Sequence, residues 1–365
     1  MELVYRIAFA SLKGLSRTFA DEIITRLGSE ELFFTAPERQ LACVLGFNNK
    51  MLAQAYRDEV LEKARREADF IARNNVKPIY YTDADYPCRL NDCDDAPLMI
   101  YTAGKCNLNA SHIVSIVGTR YATPYGIDFT NHLVEDLSWK LDDVVIVSGL
   151  AYGIDIAAHT ASLRHKVPTV AVLAHGLNTI YPASHRNIAA DIVRGGGMLV
   201  TDYRSIDAIH KGNFVARNRI VASLCDCLVV AESADKGGAL ITAGIADSYG
   251  RDVMALPGRT SDKYSAGCNR LISNNVAALV ESADDIIKAM RWTPKVEEGF
   301  QTTLSMELTA EEQAVVDYLS QHDEAQINQL CVALNSSVSK LMALLIEMEF
   351  KGLILTYPGG RYRLA

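Results

Sequence analysis

The sequence predicts an α/β protein whose centre is an open parallel sheet with helices on both faces, flanked by a smaller domain on each side. From about residue 111 to residue 290, short apolar runs typical of buried strands alternate with segments of helical periodicity. At 365 residues the chain is also too long for one core of ordinary size. Two or three domains are therefore expected.

The middle domain, residues 111–290, contains about seven candidate strands, each followed by a helical pattern. The strands are expected at residues 113–117, 144–147, 169–174, 198–201, 227–230, 253–256 and 277–280. The helices are expected at residues 124–137, 154–161, 184–193, 218–224, 239–249, 269–273 and 284–290. Regular alternation favours parallel pairing, because each helical crossover returns the chain to the same end of the sheet.

The N-terminal region, residues 1–75, alternates helical patterns with short breaks that contain glycine or proline. This pattern fits a small helical bundle or a helix-hairpin-helix phosphate clamp. The region carries 11 basic and 11 acidic residues, which favours the bundle, because a clamp needs a basic surround. Residues 76–110 are expected to form a connecting arm packed on the sheet, with strands near residues 78–81 and 98–101.

The C-terminal region begins after a polar stretch, residues 291–304, that is typical of a linker. Residues 305–365 predict three helices and a hairpin, the pattern of a winged helix-turn-helix. The segments are residues 309–320, 326–333, 336–350, 353–357 and 361–364, with a turn at Pro358-Gly359-Gly360. Four basic against eight acidic residues give this domain a net charge of −4. Since a duplex-binding wing needs the opposite sign, a protein-docking or structural role is expected.

Two loops of the middle domain carry the residue types that bind anions. The first reads Gly118-Thr119-Arg120, and the second reads Ser148-Gly149-Leu150-Ala151-Tyr152-Gly153. Small residues let a ligand approach the main chain, and a helix N-terminus offers unpaired N–H groups and a positive dipole end. Because the carboxyl ends of neighbouring parallel strands line one crevice, both loops are expected at a single phosphate site.

A third run, Lys236-Gly237-Gly238-Ala239-Leu240-Ile241-Thr242-Ala243, follows a strand and opens another helix. It is expected to add N–H donors, with Gly237, Gly238 and Thr242 at the site, unless it is only a tight turn for close helix packing. Asp155 and His159 share one helix face and could form an acid–base pair. An aspartate just inside a helix start more often complements the dipole, so no catalytic residue is assigned.

A cationic segment with an aromatic residue lies between the second and third of these loops. It reads Lys211-Gly212-Asn213-Phe214-Val215-Ala216-Arg217-Asn218-Arg219. Arginine offers phosphate a planar fork, and an aromatic ring offers a base a stacking face, so the combination favours single-stranded nucleic acid. The alternative is structural, with one arginine paired to an internal carboxylate such as Asp155 or Asp202 and with Phe214 in the core.

Charge, cysteine spacing and missing motifs exclude several further classes of function. The net charge is −8, so any DNA site must be local. The eight cysteines show no Cys-x-x-Cys pair and no histidines at metal spacing, so we expect reduced structural thiols and no metal. A P-loop is absent, and Gly149-x-Ala151-x-Gly153 lacks the acidic residue that holds a ribose, so no cofactor is expected. Neither a membrane span nor a signal peptide is predicted, which favours a cytoplasmic location.

Six motifs follow one another through the middle domain. They are Val117-Gly118-Thr119-Arg120, Ser148-Gly149-x-Ala151-x-Gly153-Ile154-Asp155-x-x-Ala158-His159, Phe214-x-x-Arg217-Asn218-Arg219-Ile220, Gly238-Ala239-Leu240-Ile241-Thr242-Ala243, Pro257-Gly258 and Gly267-Cys268-Asn269-x-Leu271-Ile272. In this order they resemble the bacterial DNA-processing protein A family, also called DprA or Smf. The resemblance implies an extended Rossmann-like domain that binds single-stranded DNA, forms homodimers and helps load the recombinase RecA during natural transformation.

The resemblance also implies roles for single residues. Arg120 would be the main phosphate ligand, Lys211 and Phe214 match a basic and a stacking position, and Arg217-Asn218-Arg219 matches the family's Arg-Asn-Arg element. The sequence departs from the family pattern at three positions. Thr119 stands where serine is common, Val215 where proline often follows the aromatic, and Ala239 where serine is usual. Ala239 therefore lacks a hydroxyl that could contact a ligand.

We therefore expect a single-stranded DNA-binding protein of DNA uptake and recombination, one that protects incoming strands and is not an enzyme. Two other classes stay open. Rossmann-like nucleotide phosphoribohydrolases use a similar sheet with a Pro-Gly-Gly-x-Gly-Thr loop and a glutamate on the next helix. Residues 236–242 lack that loop, and residues 243–248 contain Asp247 but no glutamate. A nucleotide-binding regulator is the third class.

Overall fold

The computed structural model describes residues 1–47, 49–295, 308–322, 324–357 and 360–364. The chain divides into two units, residues 1–295 and 296–365. The first unit contains the large sheet with the helices that precede and cover it, and the second contains the C-terminal helices and a small sheet. Of the residues expected to form a linker, residues 296–304 lie outside the described residues.

Among the described residues, five α-helices precede the sheet. They are α1 (Glu2–Ala10), α2 (Arg17–Leu27), α3 (Glu30–Thr35), α4 (Glu38–Leu45) and α5 (Gln54–Asn74). Gly28 ends α2 and Gly46 ends α4, both in the left-handed conformation that favours glycine. The buried guanidinium of Arg57 on α5 donates hydrogen bonds to the carbonyl oxygens of Phe33, Ala36 and Leu52. Arg57 thereby ties α5 to the chain segments on either side of α4.

The sheet of the first unit has nine strands in the order β1-β2-β6-β5-β4-β3-β7-β8-β9. They are β1 (Lys77–Tyr80), β2 (Met99–Gly104), β3 (His112–Gly118), β4 (Val144–Ser148), β5 (Thr169–Val172), β6 (Met198–Thr201), β7 (Cys227–Glu232), β8 (Asp252–Ala255) and β9 (Ala278–Leu279). Strands β3 to β9 pair in parallel, which confirms the predicted parallel sheet. The arm strands β1 and β2 extend one edge in antiparallel pairing.

Helices cover both faces of this sheet, as the sequence predicts. They are α6 (Cys88–Asn91), α7 (Pro124–Lys140), α8 (Ile154–Arg164), α9 (Arg186–Arg194), α10 (Lys211–Ser223), α11 (Gly238–Ser248), α12 (Ala266–Ser273) and α13 (Ala283–Met290). Residues of α7, α8 and α13 form one apolar core with the strands. Residues of α10, α11 and the N-terminal helices belong to a second core. The sheet thus lies between two helical layers.

The chain order of the strands reverses between β3 and β7. From β3 the chain builds β4, β5 and β6 on one side, and it then crosses back to place β7 on the other side of β3. In open parallel sheets a ligand crevice lies outside the carboxyl ends of the strands at such a switch point. The loops after β3 and β7, and the helix α10 that precedes β7, meet at this crevice.

The second unit is a small helical domain with a hairpin. It contains α14 (Ala310–Ser320), β10 (Ala325–Gln326), α15 (Ile327–Ala333), α16 (Val338–Phe350), β11 (Ile354–Tyr357) and β12 (Arg361–Leu364). The hairpin β11–β12 and the three helices confirm the predicted winged-helix-like fold. Its predicted turn includes Pro358 and Gly359, which lie outside the described residues.

One side of α16 packs into the core of this unit through Leu341, Leu345 and Met348. The opposite side exposes Met342, Ile346 and Phe350. Among the described residues, no single helix is long and apolar enough to cross a membrane, and only α15 and α16 taken together, across a bend of 110°, pass on length and composition.

Candidate functional site

A pocket of about 390 Å³ opens at the switch point, where the loops after β3, β4 and β7 meet the first turns of α10 and α11. The predicted residues that line it are Gly118, Thr119, Arg120, Ala151, Phe214, Arg217, Asn218, Gly237, Gly238 and Thr242. The predicted residues that do not line it are Ser148, Gly149, Gly153, Lys211 and Arg219. The structure therefore brings together residues from all three loops and from the cationic segment.

Arg120 is the exposed arginine of the pocket, which Lys263 also lines. Its guanidinium carbon lies 5.9 Å from the centre of the Phe214 ring, within the range of a cation–π contact. No carboxylate pairs with Arg120 anywhere in the described part of the chain. The Phe214 ring also packs edge-on against the ring of Tyr181, whose centre is 5.5 Å away at 62°. Arg120 and Phe214 thus present a free positive charge and an aromatic ring side by side.

Main-chain contacts hold the Arg120 loop in place. The N–H of Thr119 donates to the carbonyl oxygen of Glu232 at 2.7 Å, and the N–H of Ile154 donates to the carbonyl oxygen of Thr119 at 3.2 Å. Gly153 has φ of +75°, and a Cβ there would lie 2.1 Å from that same Thr119 oxygen. Only glycine fits at this position. The first two predicted loops are therefore locked against each other.

The second loop differs from the expectation of an anion-binding amide cluster. The carboxylate of Asp155 accepts the N–H of Ala151 at 3.3 Å and also interacts with the N–H of Gly149. The hydroxyl of Ser148 is buried and donates to the carbonyl oxygen of Ile116 at 2.6 Å. Burial raises the pKa of Asp155. Because the Asp155 carboxylate accepts the N–H groups of Ala151 and Gly149, these amides are not free to bind an anion. The loop contributes to the shape of the pocket instead.

Helix α10 begins at Lys211, two turns before the predicted start at residue 218, and this changes the roles of two arginines. Residues two apart on a helix point to different sides. Arg217 is 4% exposed and donates to the carbonyl oxygens of Gly149, at 2.6 Å, and Val172. Arg219 turns away from the pocket.

Arg219 forms an ion pair with Asp202 at 2.5 Å and donates to the carbonyl oxygen of Asp95. Arg219 is therefore the arginine that pairs with an internal carboxylate, which was the structural alternative for the cationic segment. Asn218 remains at the pocket, and its side-chain oxygen accepts from the Arg217 Nε at 3.3 Å. Phosphate contact by Arg217 or Arg219 would require these internal bonds to break.

The third loop provides a helix start that faces the pocket. The N–H of Gly237 donates to the carbonyl oxygen of Ala234 at 3.0 Å, and α11 follows without a side-chain cap. N–H groups in the first turn of an uncapped helix remain available to an anion. Thr242, which is buried one turn further on, also lines the pocket.

Three residues at the rim of the pocket were not among those expected at the site. They are Tyr121, Lys263 and Tyr264. Tyr121 is 74% exposed, and its ring stacks on that of Tyr264 with centres 6.3 Å apart at 20°. The Lys263 ammonium lies 5.4 Å from the Tyr264 ring centre. Each tyrosine follows a cation in the sequence, as Arg120-Tyr121 and Lys263-Tyr264, and this pairing was the signal that could have identified them.

The buried titratable groups near the pocket serve the structure. His159 Nδ1 lies 2.8 Å from the Thr169 hydroxyl, and burial lowers its pKa to about 3. A histidine with that pKa is a poor base at neutral pH. The carboxylate of Glu232 accepts the N–H and the hydroxyl of Thr123 at 2.8 and 2.5 Å. Glu232 thus stabilises the N-terminus of α7.

A doubly wound sheet with a cationic pocket at its switch point is the architecture of a Rossmann-like binding protein. Residues 77–291 match the family model described as DNA recombination-mediator protein A, and residues 301–360 match the DprA winged helix domain. The chain belongs to the DNA recombination-mediator protein A family, which confirms the resemblance to DprA and Smf.

One relative matches nearly the whole chain, and two others match about three quarters of it. Protein Smf of Synechocystis sp. is 27% identical, covering 99% of this chain and 98% of its own. Protein Smf of Escherichia coli is 31% identical over 76% of this chain and 75% of its own. The crystal structure of DNA processing protein A from Streptococcus pneumoniae gives a TM-score of 0.63 at 29% identity, over 78% of this chain and 96% of that one.

A second solved structure concerns DNA processing protein A from Helicobacter pylori and its single-stranded DNA binding mode. It superposes on this chain with a TM-score of 0.53 at 27% identity. The superposition covers 59% of this chain and 95% of that one.

Proposed function

We propose that this chain binds single-stranded DNA at the switch-point pocket. Arg120 and the N–H groups at the start of α11 receive a backbone phosphate, and Phe214 stacks on a base. The observation that carries the proposal is the free Arg120 guanidinium 5.9 Å from the Phe214 ring centre. A charge and a stacking face at that separation suit one nucleotide of any sequence.

Charge around the pocket supports this function. Lys263 is exposed and lines the pocket. Lys236, immediately before the lining residue Gly237, and Lys211, at the start of α10, are also exposed, and no described carboxylate pairs with any of the three. The whole chain is acidic, with a net charge of −8. Positive potential is therefore concentrated where the polyanion would enter, and the acidic remainder disfavours a longer duplex contact.

Neither the carboxylate that lines the pocket, Asp155, nor the neighbouring Glu232 favours a nucleotide hydrolase. Asp155 and Glu232 are both buried and accept main-chain N–H groups. A general acid or a nucleophile needs a carboxylate that can reach the ligand. Binding without bond cleavage is the function that these contacts suit.

The cellular role proposed here rests on membership of the DNA recombination-mediator family. The H. pylori relative binds single-stranded DNA, and we extend that ligand to this chain. Further parts of the proposal are protection of incoming strands in DNA uptake, help in loading the RecA recombinase, and action as a homodimer. Phosphate contact leaves the bases of a strand accessible outside the pocket, which suits transfer to a recombinase.

Fluorescence anisotropy with a labelled strand and with the matching duplex, each at two salt concentrations, tests the proposal. We expect saturable binding of the single strand, weaker binding of the duplex, and affinity that falls as salt rises. Incubation with a panel of nucleoside monophosphates separates the other classes. Release of free base would identify a phosphoribohydrolase, and saturable binding of one nucleotide without affinity for a strand would identify a regulator.

A further inference from the structure

A second cavity adjoins the switch-point pocket. It has a volume of about 400 Å³ and lies between α7 and α8, with Ile127 and Asn131 from the first helix and Thr160 and Arg164 from the second. We call it the α7–α8 groove. Arg120 and Tyr121 line both the groove and the switch-point pocket. The two cavities thus share one wall, and that wall carries the free arginine.

Arg164 provides the groove with a charge of its own. It is the last residue of α8, it is exposed, and no described carboxylate pairs with it. The nearby Glu135 on α7 lies 3.9 Å from His165 Nδ1 instead. A cation at a helix C-terminus interacts favourably with the helix dipole, which suits the position of Arg164. It is available to an external anion.

The remaining lining suits a base. Ile127 from α7 and Ile156 from α8 contribute apolar surface. The side-chain amide of Asn131 adds a donor and an acceptor that can serve any base edge. Tyr121, 74% exposed on the shared wall, offers a stacking face at the entrance.

The distance between the charges fits a strand. Helix α8 has 11 residues, and a rise of 1.5 Å per residue separates its ends by about 15 Å. Gly153, which packs against the Arg120 loop, immediately precedes the start of α8, and Arg164 is its end. A stacked strand advances about 3.4 Å per nucleotide. A few nucleotides would therefore join a phosphate at Arg120 to a phosphate at Arg164.

We propose that the α7–α8 groove is a second nucleotide subsite, in which a strand leaving the switch-point pocket passes over Tyr121 and places a phosphate at Arg164. This inference rests on the proposed function, because it extends the same DNA path. It gives the strand a course along α8, away from the α10 side of the pocket. It also predicts that affinity grows with strand length until the groove is filled.

The test compares Arg164→Gln with Arg73→Gln in the full chain. Arg73 is a matched control, because it is an exposed arginine in the last turn of α5 and has no described carboxylate partner. Anisotropy titrations use oligothymidylates of about 4 and about 12 nucleotides, lengths within the range of single-strand sites. Circular dichroism melting shows that each variant is folded.

We expect Arg164→Gln to weaken binding of the longer strand about tenfold, the loss of one charge-assisted hydrogen bond. The salt slope should fall by about 0.7, and binding of the shorter strand should not change. Arg73→Gln should match the wild type at both lengths. Wild-type affinity for Arg164→Gln on the longer strand would overturn the subsite while leaving the proposed function intact. If the wild type bound neither strand, both proposals would fall together.

Tyr121→Ala supplies a second measurement in the same titrations. Because Tyr121 lines both cavities, its removal should weaken binding of the longer strand more than binding of the shorter one, by about 5- to 150-fold for one stacked base. Equal affinity of Tyr121→Ala and the wild type for the longer strand would contradict a path over the shared wall.

Discussion

Arg217 donates a 2.6 Å hydrogen bond to the carbonyl oxygen of Gly149, a residue 68 positions earlier in the chain. A Cβ at Gly149 would lie 2.6 Å from the Arg217 Nη2, so the guanidinium packs directly on the glycine. Arg217 thereby joins α10 to the loop after β4 beneath the pocket. Arg120, at the surface of the same pocket, makes no such bond to any residue that the structure describes.

The first prediction concerns this contrast between two arginines. Arg217→Met should lower the free energy of unfolding by about 3–5 kcal/mol, because it removes a buried positive charge that stabilises the Asp155 carboxylate and leaves two carbonyl oxygens without their donor. Arg120→Met, at an exposed position, should change it by less than about 0.5 kcal/mol. Urea denaturation followed by circular dichroism measures both. If the two variants were equally stable, the charge of Arg217 would make no contribution to the free energy of unfolding.

The second prediction concerns phosphate contact. Arg120→Ala should weaken binding to all strand sequences about equally, because a phosphate ligand reads no base. The slope of log affinity against log salt should decrease in magnitude by about 0.7 for the lost contact. Anisotropy titrations of a homopolymer and a mixed sequence over a salt series measure it, with Arg73→Ala as the control. An unchanged slope would remove Arg120 from the binding surface.

The third prediction concerns stacking. Phe214→Ala should cost about 1–3 kcal/mol of binding free energy for each base that stacks on the ring, and Phe214→Trp should restore most of it. Trp139→Ala removes a 74% exposed aromatic on α7, remote from the pocket, and is the matched control. If Phe214→Ala and Trp139→Ala bound single strands equally well, the ring would have only a packing role against Tyr181.

How far the sequence could predict this site depends on the kind of feature. Continuous apolar runs mark buried parallel strands, so the positions of the strands in the sequence were predictable. The regular alternation of these runs with helical patterns also predicted helices on both faces of the sheet. The pairing of β1 and β2 with the edge of the sheet depends on contacts between distant residues, and no local pattern encodes them. The turn and helix starts at the first and third loops were marked locally by glycines.

The directions of the arginines were not predictable, because they depend on where α10 begins. Gly212 and Val215 both lower helix propensity, and no side chain caps the helix at His210. The local pattern therefore favoured a later start. Because α10 begins at Lys211, Arg217 points toward the carbonyl oxygen of Gly149 and Arg219 points toward Asp202. Arg120 is then the arginine of the pocket that is free to bind a ligand.

The fourth prediction concerns the close contact of Gly153, in the loop after β4, with Thr119, in the loop after β3. Gly153→Ala places a side chain at φ of +75°, where its Cβ would lie 2.1 Å from the Thr119 oxygen. Strain of about 1–3 kcal/mol is expected from the backbone alone, and the Arg120 loop must move. Both stability and strand affinity should fall.

Gly244→Ala within α11 is the control for that experiment. A Cβ at Gly244 meets nothing within 4 Å, so this change should stabilise the fold by about 0.4–1 kcal/mol. Paired melting curves and anisotropy titrations distinguish the two glycines. A Gly153→Ala protein with wild-type affinity would show that the loops are not coupled.

The fifth prediction concerns acid sensitivity. In the unfolded chain His159 gains its proton near its ordinary pKa of 6.5, whereas burial lowers the pKa in the folded protein to about 3. Between these pH values the unfolded state binds more protons, so the stability from neutral His159 is present above pH 6.5 and is lost as pH falls. The loss approaches about 1.4 kcal/mol per pH unit.

His159→Asn should remove that slope. Relative to pH 7, the wild type should lose about 2 kcal/mol more than the variant by pH 5. Raised pKa values at Asp155 and Glu67 act in the opposite direction, but they are common to both proteins and cancel in the difference. Urea denaturation at several pH values measures it, with His132→Asn, on the exposed side of α7, as the control. Parallel pH profiles for His159→Asn and the wild type would show that His159 takes up its proton equally in both states.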